Sequence, residues 1–299
     1  MLRGRVGGPP LTPPGAARQP GPNPRSSQRR GRGQDGGRSG IGGEQVEGIH
    51  AVRELLLAGR RRVRSVMISD LAGHSKQLSE IEAMCSQVRY PTSPGGDGRI
   101  PVRHVERHEL DRVAATDAPQ GVVALAEPLG EVQLGSLVER TPGAPAPFLV
   151  VLDGVTDPHN LGAIMRSCLG AGVTGLVLPR HRSARLGPAA LKAAAGAAEH
   201  LRIATVAGVP AAVRQLEKTG IWTVGLDASG PTAIWDVAVA SEPLALVLGA
   251  EGAGLSPLTV ARCGIVAAIP LHGPLGSLNV SVAAAVACFE VARRRAGRV

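Results

Sequence analysis

Hydrophobic residues in the second half of this chain gather into short unbroken runs, and between the runs they return every three or four positions. The runs FLVVLD (148–153), TGLVLP (174–179), RIATV (202–206), WTVGLD (222–227), LALVLG (244–249) and IVAAIP (265–270) have the length and aliphatic content of buried strands. The spacing between them predicts helices from Asn160 to about Ala171, over PAALKAAAGAAEH (188–200), near 209–219, near 256–262, and a long one from Asn279. Continuously apolar strands alternating with helices predict a parallel sheet covered on both faces, and so an α/β fold. The first half repeats the alternation on a smaller scale. An amphipathic helix in GIHAVRELLLAG (48–59) ends at Gly59 and is followed by strand 63–69, a helix around 75–88, strand 100–105, a short helix near 106–115 and strand 121–127. The pattern divides the chain into a tail (1–43), a small α/β domain (44–127), a linker (128–146) closed by TPGAPAP, and a larger α/β domain (147–299).

The net charge of +9 raises the question of a nucleic-acid partner, and its placement narrows the answer. Residues 1–40 hold eight Arg against Asp35 alone, so the remaining 259 residues carry only +2. Ten Gly and seven Pro in the same forty residues leave too little apolar surface to offset ordering entropy, and the tail is expected to be disordered. An arm of this kind either binds a polyanion through counterion release or is a solvated spacer. Its Gly/Pro density argues against an amphipathic transit peptide, and it has no apolar core of a secretory signal. No stretch reads as a membrane span. Cys85, Cys168, Cys263 and Cys288 lack metal or disulfide spacing and read as reduced structural thiols in a cytoplasmic protein. Tyr90, Phe148, Trp222, Trp235 and Phe289 are too few and too scattered for a base-stacking platform. Any nucleic acid must therefore be held through phosphates, shape and an active-site pocket.

Candidate chemistry concentrates in three segments that each leave a strand through a Gly/Pro/Asn turn: DGVTDPHNLGAIMR (153–166), LALVLGAEGAGLS (244–256) and IPLHGPLGSLNVSVA (269–283). Loops at the carboxyl ends of parallel strands are where open α/β sheets bind ligands. In the first, Asn160 is expected at a helix N-cap with Arg166 six residues on. Six helical steps turn about 240°, so the two converge only if Asn160 lies in the preceding loop. Asp153, Asp157 and His159 also fit plain turn roles. In the second, Gly249, Gly252 and Gly254 have the reverse of dinucleotide-fingerprint spacing, and no phosphate-binding P-loop exists. They leave a glycine-lined strand end with Glu251 projecting from it. In the third, capping accounts for Ser277 or Asn279 but not both together with Ser281. His104 and His108 lack a third ligand, so no metal is expected, and no nucleophile elbow is present.

Together these segments resemble the three signature motifs of the SpoU/TrmH family of RNA 2′-O-ribose methyltransferases. The likeness covers about 147–296, and residues 48–127 resemble that family's L30e-like substrate-binding domain. PQGV stands where the family has HQGV, with Pro119 in place of His. The resemblance implies a trefoil-knotted methyltransferase domain, a homodimer, an RNA substrate and S-adenosylmethionine as methyl donor. It carries cofactor binding onto Gly249, Ile269, Leu278, Leu248 and Ser277, and catalysis onto Arg166, Asn160, Glu251, Ser277 and Asn279. An Arg in the position of Arg166 is often assigned as the base, yet a charged guanidinium offers no acceptor. The alternative is that its charge stabilises the developing alkoxide, with the proton leaving to a phosphate oxygen or water.

Overall likeness points to a guanosine of 23S rRNA. A tRNA guanosine, a 23S rRNA adenosine, a non-catalytic role in rRNA binding or ribosome assembly, and a Rossmann oxidoreductase are the alternatives.

Overall fold

A computed structural model describes residues 40–70, 75–90, 98–139, 142–143, 145–274 and 276–297. The expected tail therefore lies, up to residue 39, outside the described residues. Its last four positions do not behave as tail: Gly40 bridges to Gly130 and Gly42 to Leu186.

The first half builds a four-stranded mixed sheet. Its elements are β1 (Gln45–Glu47), α1 (Ile49–Ala58), β2 (Val63–Ser69), α2 (Lys76–Gln87), β3 (Val102–Val105), α3 (Arg107–Val113) and β4 (Val122–Ala126), in the strand order β1-β4-β2-β3. α1 stops where Gly59 takes φ +58°, as its sequence predicts, and buries Val52, Leu55 and Leu56. β1 was not anticipated; three residues are too few to express a period. The expected linker is not free chain either. It carries α4 (Leu134–Leu137), which buries both of its leucines against the larger domain's core.

The second half contains β5 (Phe148–Asp153), α5 (Pro158–Gly170), β6 (Gly175–Pro179), α6 (Pro188–Ala194), β7 (Ile203–Val206), α7 (Val209–Lys218), β8 (Trp222–Leu226), β9 (Thr232–Ala233), β10 (Leu244–Gly249), α8 (Pro257–Val260), β11 (Ile265–Ala268) and α9 (Val280–Arg295). All neighbouring strands are parallel, in the order β7-β6-β5-β10-β8-β11-β9. Side chains alternate across each strand, so Phe148, Val150 and Leu152 join one core while Leu149 and Val151 join the other. That double burial is why the strands read as unbroken apolar runs. β10 returns to lie between β5 and β8, and β11 then crosses to the far side of β8. The tips of β5, β8, β10 and β11 consequently crowd together at one edge.

Two helix predictions need correction. α5 begins two residues before Asn160, because Asp157 is the N-cap: its carboxylate accepts from the His159 and Asn160 amides, with Pro158 opening the first turn. The Ala-rich run 188–200 is not one helix. Ala195 and Gly196 both adopt left-handed φ, and a short 3-10 turn follows at Ala197–Glu199. A Cβ on Gly196 would fall 2.2 Å from Glu54 Cβ. Close approach to α1, not local propensity, breaks the helix there.

That turn also joins the two sheets. Glu199 is buried and receives Arg61 through both carboxylate oxygens, at 2.9 Å and 2.5 Å. The same guanidinium donates to the Gly43 and Glu127 carbonyls at 2.6 and 2.8 Å. Removing one partner strands a buried charge, which costs roughly 3–5 kcal/mol. Glu199→Ala is therefore expected to lower the thermal midpoint sharply, and Glu199→Gln, which keeps one acceptor, less so. Equal melting curves for Glu199→Ala and the wild type would contradict this role.

Candidate active site

The crowded strand tips enclose a cavity of about 410 Å³. Its floor is the end of β10, where Leu248 and Gly249 meet the turn 250–254. A Cβ on Gly249 would lie 2.1 Å from the Gly254 carbonyl carbon, so only glycine lets the chain fold back there. The Ala250 and Gly254 amides exchange hydrogen bonds with each other's carbonyls at 2.9 Å, with Gly252 and Gly254 at positive φ. One wall is Ile269, Leu271, Ser277 and Leu278 from the loop after β11. All five residues expected to hold the cofactor line this single cavity. The further lining by Leu226, Asp227 and Ala228, at and just beyond the end of β8, was missed. Its only sequence signal was an Asp-Ala-Ser-Gly turn at a strand end, which any surface loop shares. Asp227 Oδ1 accepts from the Ser229 amide and hydroxyl, and its Oδ2 sits 3.3 Å from where a Cβ on Gly254 would stand.

Three expected catalytic residues meet in a closed triangle. Asn160 donates its amide to Glu251 Oε2 at 3.1 Å. Asn279 donates to Glu251 Oε1 at 2.9 Å and to Asn160 Oδ1 at 3.1 Å. Asn279 Oδ1 at the same time caps α9, accepting from the Ser281 amide at 2.9 Å and the Ser281 hydroxyl at 2.6 Å. Ser281 is thereby explained as part of a cap. Ser277 lies on the cavity wall outside the triangle. Asp153 is occupied elsewhere, accepting from Thr259 Oγ1 at 2.6 Å and the Ser256 amide at 3.3 Å, which anchors α8 to β5.

Arg166 stands apart. Because Asn160 is already helical, the six-residue step turns Arg166 onto a different face of α5. There it is exposed and lines a second cavity, of about 590 Å³, with His50, Thr116, His159 and Lys192. It has no hydrogen-bond or ion-pair partner among the described residues. Glu47, fully buried at that cavity's edge, is saturated by Gln45 Nε2, the Ala115 and Thr116 amides and the Thr116 hydroxyl. Pro119 is buried, and the neighbouring Gln120 accepts from the Ile49 amide at 3.1 Å.

Thiol chemistry does not compete for this site. Burial pushes Cys85 up to about 11; burial, then Glu217 and Asp153, pushes Cys263 up to about 12; and the Cys288 contact, then burial, raises Cys168. None of these three is a thiolate near neutrality. Among the described residues no His/Cys/Asp/Glu group could hold a metal ion, and no helix is long and apolar enough to cross a membrane.

Residues 147–289 match the SpoU rRNA Methylase family, and residues 96–132 match the RNA 2′-O ribose methyltransferase substrate-binding family. The 23S rRNA (guanosine-2′-O-)-methyltransferase RlmB of Pseudomonas putida is 37% identical over 256 residues, 84% of this chain and 97% of the relative. RlmB of Escherichia coli K12 is 36% identical over 252 residues, 84% of this chain and 99% of the relative. The fold is also that of the SpoU methyltransferase AviRb from Streptomyces viridochromogenes, solved with AdoMet, at a TM-score of 0.68 and 24% identity, covering 85% of this chain and 90% of that one. With its three motif loops gathered at one sheet edge and relatives matched over nearly their whole length, this chain belongs to the SpoU rRNA methylase family.

Proposed function

We propose that the protein transfers the methyl group of S-adenosylmethionine to the ribose 2′-OH of a guanosine in 23S rRNA. The observation that carries this reading is the convergence of all five expected cofactor residues on one cavity beside the Asn160–Glu251–Asn279 triangle. The choice of RNA and base rests on the two RlmB relatives, each matched over 84% of this chain.

The cavity fits the donor. Its volume of about 410 Å³ is within the range of nucleoside-sized sites. Gly249 offers bare backbone on the floor, Ile269, Leu271 and Leu278 offer apolar walls, and the Asp227 and Glu251 carboxylates favour a cationic ligand. Gly249, Leu278 and Ser277 would hold the nucleoside part. When bound, the donor supplies an already activated methyl group, so the chain's task is alignment and proton removal. The triangle fixes the three loops that aim the substrate. Arg166 stabilises the developing alkoxide with its charge, and the 2′-OH proton leaves to a phosphate oxygen or water.

The reading extends to architecture and assembly. The passage of β10 back between β5 and β8, with β11 crossing beyond β8, supports a trefoil-knotted C-terminal region. The mixed sheet of 44–127 supports an L30e-like RNA-binding unit ahead of the methyltransferase domain at 147–299, in a protein of the cytoplasm. Arg166 lines a different cavity from the expected cofactor residues, which supports a site completed by a second copy. α5 and α9 adjoin, with Gly170 against the Phe289 ring, and they leave Leu169, Val282 and Phe289 exposed on one side. We assign this face to a homodimer.

Three outcomes follow. Labelled donor should deliver one methyl per 23S rRNA at a guanosine 2′-O. A chain that binds rRNA without transfer would be an assembly factor instead. In single-turnover assays Arg166→Ala should slow transfer by roughly 10²–10³, the scale of losing one charge-stabilising donor. Arg166→Lys should recover part of the rate with an unchanged pH profile; a new ionisation following the lysine would make residue 166 the base. Light scattering at micromolar concentration should give a two-chain mass. Phe289→Asp with Leu169→Asp should give one chain that still binds S-adenosylmethionine but transfers poorly, and a wild-type mass of one chain would refute the dimer.

A further inference from the structure

The loop between β6 and α6, residues 180–187, carries Arg180, His181, Arg182 and Arg185 and no acid. Arg180 is occupied: it donates to Thr205 Oγ1 at 3.1 Å and pairs with Glu131 at 3.3 Å. His181, Arg182 and Arg185 are exposed, and their side chains have no hydrogen-bond or ion-pair partner among the described residues. Exposed cations are commonplace on a floppy loop, but this loop is pinned along its length. The Arg180 amide donates to the Val206 carbonyl at 2.9 Å and the Ala184 amide to the Val155 carbonyl at 2.8 Å. Leu186 is 3% exposed and bridges to Gly42. Val155 belongs to the turn that leads into Asp157 and Asn160, so the loop is tied directly to the first motif. Arg182 also holds φ +55°, one of three described non-glycine residues in the left-handed region. A bulky residue there is strained by of order 1 kcal/mol, and strain of this kind collects where a side chain must be presented in one direction.

The loop's place in the sheet says what it faces. β6 lies beside β5 and β5 beside β10, so at ~4.8 Å per strand the ends of β6 and β10 are about 10 Å apart. The loop thus leaves the sheet on the same edge as the turn after β10, two strands away from it. We propose that Arg182 and Arg185, with His181 beside them, grip backbone phosphates flanking the target nucleotide and so position the RNA over the cofactor cavity. This rests on the methyl-transfer reading and adds to it a positioning surface outside both cavities. The fit is to a phosphodiester backbone: the donors are cationic, rigidly spaced and without aromatic neighbours, which suits phosphate contact and not base readout.

The test uses the full-length protein carrying Arg182→Asn and Arg185→Gln; Asn accepts left-handed φ and Gln keeps the side chain's length. Affinity for a 23S rRNA fragment is measured by fluorescence anisotropy across a salt series. S-adenosylmethionine affinity, single-turnover rate at saturating RNA and thermal midpoint are measured alongside. The expected result is an RNA dissociation constant raised roughly tenfold or more, and a slope of log K on log salt reduced by about 1.4–1.8, as two lost phosphate contacts require. Donor affinity, saturated rate and melting should stay at wild-type values, and Arg185→Lys alone should keep most of the affinity. RNA affinity and salt slope matching the wild type would overturn the proposal while wild-type methylation leaves the functional reading standing. Absence of methyl transfer by the wild-type protein would remove that reading and this one with it. A lowered saturated rate at unchanged affinity would likewise overturn it, because the loop would then act on chemistry and not on positioning.

Discussion

The amide–carboxylate triangle of Asn160, Glu251 and Asn279 is the contact on which the geometry of the site depends. It joins residues 28, 91 and 119 positions apart in the chain. A carboxylate only accepts, and each Glu251 oxygen takes one amide donor. Asn279 spends its amide on the other two and its carbonyl on the cap of α9, which fixes its orientation without ambiguity. Loosening any corner would uncouple the start of α5, the turn after β10 and the start of α9, the three segments that meet beside the cavity. The folded core supplies the rigidity, but this triangle converts three loops into one surface.

Backbone approach does the complementary work. Gly249 permits the fold-back that brings Glu251 over the floor. Gly162 on α5 lets that helix lie directly on α6, since a Cβ there would meet Ala190 O and Ala193 Cβ at 2.5 Å. The pressing of α5 onto α6 sets where Asn160 and Arg166 stand relative to the sheet. The Arg61–Glu199 pair then fixes the small domain against the end of α6. The small domain and the motif loops are in this way referenced to one common element.

Legibility followed burial. Strands covered on both faces must be apolar at every position, so β5, β6, β8 and β10 stood out, and the parallel α/β sheet followed from their alternation with helices. Elements whose form is decided by distant contacts did not. β1 and β9 are held by neighbours and not by pattern, and the break at Ala195–Gly196 exists because α1 lies against it. Asn160 looked like a cap since Asn is a good one, but Asp157 followed by Pro158 is the better start and won. The five expected cofactor residues that line the cavity, from the second and third motifs, were legible through the family resemblance, not through spacing. The wall at Leu226–Ala228 was not, because nothing in an Asp-Ala-Ser-Gly turn announces a ligand.

The question of the proton acceptor narrows in the same terms. Glu251 lines the cavity, yet both its oxygens already hold loop-closing amides. Taking up a proton there would turn an acceptor into a donor facing another donor. Asp227 is similarly engaged by Ser229 through one oxygen and directed at the glycine turn with the other. Asp153 accepts from α8 through Oδ2, and Asp157 caps α5 through both oxygens. Glu251, the acid of the triangle, is thus committed to structure while Arg166 has no partner among the described residues, the arrangement expected on the proposal that catalysis works by stabilising negative charge on the ribose oxygen. On the proposed reading the acceptor is then a phosphate oxygen of the target nucleotide or water, and the basic loop serves only to position the RNA.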